Sequence, residues 1–116
     1  MKLSDYVAHK VVELGISNVF MVTGGGSMHL NHSLGTNPGI ECIFNHHEQA
    51  AAMAAESYFR LTNKPALVNV TSGPGGTNAI TGVYGAWTDS LGMIVISGQV
   101  KYETTVRSTG LPLRQY

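Results

Sequence analysis

Apolar residues along the chain gather in short solid runs separated by stretches of helical spacing. The runs are NVFMV at 18–22, IECIF at 40–44, ALVNV at 66–70 and MIVIS at 93–97, each bounded by glycine, proline or polar residues. Runs of this length, apolar on both faces, predict buried strands of a parallel sheet. Between them, Tyr6, Val7, Val11 and Leu14 fall on one face of a helix that Ser4 caps and Gly15 stops. A second helix is expected over 27–34, an alanine-rich one over 47–61 ended by Asn63-Lys64-Pro65, and a fourth over 77–86.

Strict alternation of strand and helix specifies an α/β fold, a three-layer α/β/α sandwich with helices on both faces of a parallel sheet. Ligands in such folds sit beyond the carboxyl ends of the strands. There the sequence carries its least ordinary residues. Gly24-Gly25-Gly26 follows the first run, His47-Glu48-Gln49 the second, TSGPGGTN from Thr71 to Asn78 the third, and Ser97-Gly98-Gln99-Val100 the fourth.

Composition narrows the picture. The 116 residues make one domain, and seven acidic residues balance seven basic ones at a charged fraction of 12%. No Lys/Arg cluster offers a footprint for nucleic acid or an anionic membrane surface. The N-terminal segment lacks the apolar core of a secretion signal, and no run reaches the length of a membrane span, so a cytoplasmic protein is expected. The single cysteine, Cys42, is expected to pack within its strand. Five histidines invite a metal reading, but His47-Glu48 is not followed by a second histidine at the zinc-protease spacing. No protein-bound metal is expected. His29 and His32 stand as either active-site or helix-surface groups, with His29 the further active-site candidate, Met28, Met53 and Met93 as core filler, and Trp87 as a packing or partner residue.

The four blocks, in this order and spacing from about Leu3 to Val100, resemble the pyrimidine-binding domain of thiamine-diphosphate enzymes of the acetolactate synthase, pyruvate oxidase and benzoylformate decarboxylase group. Acetolactate synthase is the nearest in pattern. The resemblance implies a thiamine-diphosphate-binding fold over residues 1–100, incomplete at its C-terminal end because the family's domain continues with more helix and strand. Residues 101–116 are read as a loop or tail. It implies that Glu48 is the catalytic carboxylate, hydrogen-bonded to N1′ of the cofactor's aminopyrimidine and favouring its 4′-imino form. A carboxyl group suits that work because it can share a proton with a ring nitrogen.

Gly24, Gly25, Thr71, Pro74, Gly75, Asn78 and Gln99 are implied as cofactor-binding residues. Glycines at the first turn admit a close ligand or a positive φ. A proline usually precedes that turn in the family, where this chain has Thr23. The Ser72–Gly76 loop has neither the Gly-Lys-Ser/Thr ending of a phosphate loop nor the third glycine of a dinucleotide fingerprint.

The family's diphosphate domain holds Mg²⁺ through a GDG-to-NN motif that this sequence lacks. A diphosphate-binding domain or subunit in trans is therefore implied, within a homo-oligomer that decarboxylates a 2-oxoacid and ligates the product, the isolated chain being inactive. The alternative is a non-catalytic binding or assembly module that keeps the fold and dimerises through the alanine-rich helix. A Rossmann-type nucleotide site is the weakest reading, since Glu41 and Glu48 only loosely bracket the expected acid position.

Overall fold

The computed structural model describes residues 1–110. Four parallel strands form one sheet in the order β2-β1-β3-β4: β1 (Asn18–Met21), β2 (Glu41–Phe44), β3 (Ala66–Val70) and β4 (Met93–Ser97). The helices are α1 (Leu3–Glu13), α2 (Met28–Gly35), α3 (Glu48–Thr62), α4 (Pro74–Thr88) and the short α5 (Val106–Thr109). The strand order reverses between β1 and β3, which makes the carboxyl ends of those two strands the natural crevice.

The expected three layers are present. On one face α1 and α2 bury Ala8, Val11 and Leu34 against Val19, Met21 and Leu67 of the sheet. On the other, α3 and α4 bury Ala51, Ala52, Ala55 and Ala79 against Ala66, Val68 and Val70. Each fully buried Val, Leu, Ile or Met side chain contributes roughly 1.5–3 kcal/mol of transfer free energy. Only β3 is buried along its whole length. The outer strands β2 and β4 are edges, so Cys42 is half-buried rather than enclosed, and that burial pushes its thiol pKa up.

Several boundaries differ from the sequence expectation for identifiable reasons. Ser4 does not cap α1: the helix begins at Leu3, and Ser4 lies buried in its first turn, within hydrogen-bond distance (2.8 Å) of the Ser33 hydroxyl of α2. The same hydroxyl bonds Asp5 at 2.7 Å and holds its carboxyl below the usual range. Gly15 does stop α1. At φ +80° it lets its N–H reach Val12 O and the next N–H, of Ile16, reach Val11 O, so both ends of that bonded pair sit in the core.

The glycine turn after β1 tightens into a 3₁₀ turn (Gly25–Ser27) before α2. α4 begins at Pro74, three residues earlier than the spacing suggested, because Gly73 takes φ 57° and proline suits the first helical position. The segment after β4 contains a 3₁₀ turn (Tyr102–Thr104) and α5, ended by Gly110 at φ 67°, where only loop was expected. The tail reading for 111–116 lies outside the described residues.

Three of the five alanines of α3, Ala51, Ala52 and Ala55, are buried inside the chain, while Ala50 is exposed and Ala54 half-buried. A Cβ on Gly82 of α4 would stand 2.6 Å from Ala52 Cβ and 2.9 Å from the Met53 amide nitrogen, so the two helices are nearly in backbone contact. That leaves Ala51, Ala52 and Ala55 no surface for dimerisation. Trp87 is 80% exposed, in line with Tyr84 at 66% and Ile80 at 58% along the outer face of α4.

Candidate functional site

Two helix starts create the centre of the rim. His47 holds extended backbone at the N-cap of α3, and its Nδ1 accepts the Gln49 N–H at 3.1 Å. Glu48 is thereby the first residue of α3, in the positive end of the helix dipole, and is only 9% exposed. Its Oε2 accepts a 3.0 Å hydrogen bond from Asn78 Nδ2 on α4. Its Oε1 lies 3.5 Å from the place a Cβ would occupy on Gly75, at a narrow slot between Gly75 and Thr71 that a side chain on Gly75 would fill. That same Cβ would meet Thr71 Cγ2 at 2.9 Å.

Thr71, just past β3, joins this slot to the glycine turn across the crevice. Its Oγ1 accepts the Gly26 N–H at 3.1 Å, and its carbonyl accepts the Ser97 hydroxyl at 3.0 Å. Gly24 presses on Thr71 so closely that a Cβ there would fall 2.5 Å from Thr71 Cβ. Gly24 itself is extended at φ −172°, so close approach rather than a positive φ demands glycine. Gly25 has nothing within 4 Å of its Cβ position, and its freedom is not needed for packing. Gly98 is the third close approach: a Cβ would lie 2.3 Å from Gly26 O.

Glu48, Thr71, Gly75, Asn78 and, through Thr71, Gly24 thus form one cluster, with Pro74 at the first position of α4 setting its register. Gln99 stands apart. With Gly25 and Lys101 it lines a separate concavity of about 470 Å³ beside α2, and its Oε1 accepts the Val100 N–H at 2.8 Å. His29 borders the same concavity. Among the described residues no three His, Cys, Asp or Glu side chains are grouped as metal ligands.

Sequence reasoning missed a polar relay beneath the turn. Asn69, next to the last residue of β3, is fully buried and donates to Asn31 Oδ1 at 2.7 Å, while Asn31 Nδ2 reaches Gly24 O at 3.4 Å. The signal was available, since ALVNV places an amide inside an otherwise apolar run. Its Oδ1 has no protein partner among the described residues.

The arrangement can hold a planar nitrogen heterocycle by one ring nitrogen. One Glu48 oxygen is bonded by Asn78 and the other lies beside Gly75 and the Thr71 methyl, where a carboxyl group can bond a ring nitrogen by sharing a proton with it. These features fit the aminopyrimidine of thiamine diphosphate.

Comparison with known proteins agrees. Residues 1–112 match the family described as thiamine pyrophosphate enzyme, N-terminal TPP binding domain. The acetolactate synthase large subunit of Buchnera aphidicola is 46% identical over 97 residues, covering 84% of this chain and 17% of that protein. The isozyme 3 large subunit of Escherichia coli is 40% identical over the same shares. The chloroplastic acetolactate synthase of Arabidopsis thaliana is 36% identical over 99 residues, 85% of this chain and 15% of its own length.

A solved structure of a candidate thiamin diphosphate-dependent enzyme from Mycobacterium smegmatis superposes with a TM-score of 0.80 at 24% identity, covering 91% of this chain and 20% of that one, which supports the fold. The chain spans 15–17% of the length of these curated relatives. No helix among the described residues is long and apolar enough to cross a membrane. With a family match that runs through nearly its whole length, the chain belongs to the N-terminal thiamine-pyrophosphate-binding domains of the thiamine pyrophosphate enzymes.

Proposed function

We propose that this chain supplies the pyrimidine-binding half of the active site of an acetolactate synthase-type enzyme, one that decarboxylates a 2-oxoacid and ligates the product to an acceptor. Residues 1–100 form the pyrimidine-binding unit, with 101–116 outside it. Bound thiamine diphosphate supplies the electron sink for decarboxylation. The protein's part is to bind, orient and exclude water. Glu48 holds the ring nitrogen N1′ through Oε1 and shares a proton with it. Thr71, Gly24 and Gly75 shape the slot, Pro74 sets the start of α4, and Gly25 and Gln99 line the neighbouring concavity.

The diphosphate and Mg²⁺ are held by a second domain or subunit in a cytoplasmic dimer or larger homo-oligomer. Two features support a partner on α4. The helix has no charged residue over its 15 positions, and its outward stripe of Ile80, Tyr84 and Trp87 is exposed. Large uncovered aromatic surface of this kind marks interaction sites.

The observation that carries the reading is the buried Glu48, with one oxygen fixed and the other open to the slot. Calorimetry of the chain together with its diphosphate-binding partner tests it. Thiamine diphosphate should bind the pair, bind the chain alone weakly or not at all, and lose affinity about tenfold or more in Glu48→Gln, the equivalent of at least ~1.4 kcal/mol. Equal affinity in wild type and variant would overturn the assignment.

A further inference from the structure

The hydrogen bond between α3 and α4 separates two roles that sequence resemblance merges. Asn78 and Glu48 are 30 residues apart, yet Asn78 Nδ2 sits 3.0 Å from Glu48 Oε2. A carboxylate can only accept, so the amide turns its nitrogen toward Glu48. We propose that Asn78 is a positioning residue rather than a cofactor ligand: it locks the Glu48 carboxylate by one oxygen so that the other faces the slot over Gly75. The inference rests on the reading given under Proposed function, and it reassigns one residue within it.

Three observations make the lock specific. Glu48 has three side-chain torsions, and Asn78 supplies its only side-chain hydrogen bond among the described residues. The donor's place is set by the start of α4 at Pro74, and the acceptor's by the His47 cap of α3. The distance between them is set by the contact of Gly82 with Ala52. Loss of the donor leaves Glu48 free to rotate its open oxygen away from the slot. An ionised hydrogen bond of this kind is stronger than a neutral one and directs its partner more firmly.

A double-mutant cycle tests the proposal in the chain assembled with its diphosphate-binding partner and thiamine diphosphate. The readouts are cofactor affinity and the rate at which the thiazolium C2 proton exchanges into deuterated water. Asn78→Ala should slow exchange about tenfold, as loss of a supporting hydrogen bond does around other catalytic ligands. Asn78→Asp keeps the volume but sets a second carboxylate against Glu48, and should slow exchange further. In the Glu48→Gln background both Asn78 substitutions should change exchange less than twofold, because the group they orient is gone.

A cofactor-free readout stands beside these: the Asn78 side-chain amide ¹⁵N resonances should move in Glu48→Gln. Additive effects in the cycle, or wild-type exchange in both Asn78→Ala and Asn78→Asp, would overturn the positioning role while leaving Glu48 its own. Wild-type exchange in Glu48→Gln would instead sink the underlying functional reading.

Discussion

The two helical layers solve the same packing problem with opposite materials. Against one face of the sheet, α1 and α2 set branched side chains such as Val11 and Leu34, joined by Ile16 from the loop after α1, so the layer is spaced by side-chain volume. Against the other, α3 and α4 set alanine and glycine, so the helices close until backbone nearly meets backbone at Gly82 and Ala52. The first layer stabilises the domain. The second brings two polar side chains from distant helices within hydrogen-bond reach at the rim. Both layers bury apolar surface, but the Glu48–Asn78 contact belongs to the alanine-glycine one.

That separation can be broken by substitution. The largest stability loss should come from Leu67→Ala, which hollows the fully buried centre of the branched layer and should cost about 2–5 kcal/mol in denaturant unfolding. Cofactor affinity measured well below the melting transition should stay within about threefold of wild type, because none of the site residues is a member of that core. A smaller stability loss, about 1–3 kcal/mol, is expected for Gly82→Ala, whose new Cβ has no room against Ala52 and the Met53 backbone. Alanine's better helix propensity offsets up to about 1 kcal/mol of that strain.

Here affinity should fall more than in Leu67→Ala, since the helices bearing Glu48 and Asn78 must part. Equal binding losses in the two variants would show that the layers do not divide the work. Those two outcomes are read from paired unfolding and binding titrations on the same samples.

Much of this was legible from local chemistry. The runs ALVNV and MIVIS coincide with β3 and β4 because a solid apolar run bounded by proline, glycine and polar residues admits little else. Glu48 stood out because an acid opens an alanine-rich helix, whereas His47, expected inside that helix, is its cap. What stayed hidden depended on contacts between distant segments. Ser4 looks like a cap until Ser33 arrives from α2 to claim it. Asn69 looks like an irregularity until Asn31 and the Gly24 carbonyl fall into line above it.

The start of α4 was misplaced for a different reason. Glycines at 73, 75 and 76 obscure the helical turn that Pro74 begins, and local propensity ranks glycine poorly in helices whatever the packing requires. At Gly75 the missing side chain is the point, since a Cβ there would press on Thr71 Cγ2 and approach Glu48 Oε1. Gln99 was grouped with the others by motif, yet the chain turns it toward a neighbouring concavity beside α2.

The account turns on which atom of the cofactor meets Glu48, and ¹⁵N NMR of thiamine diphosphate labelled at N1′ reads that atom directly. In the assembled wild-type protein the N1′ resonance should shift far from its free position, and in Glu48→Gln it should return most of the way toward it. An N1′ resonance that is the same in both proteins would contradict the claim that this carboxylate holds the pyrimidine.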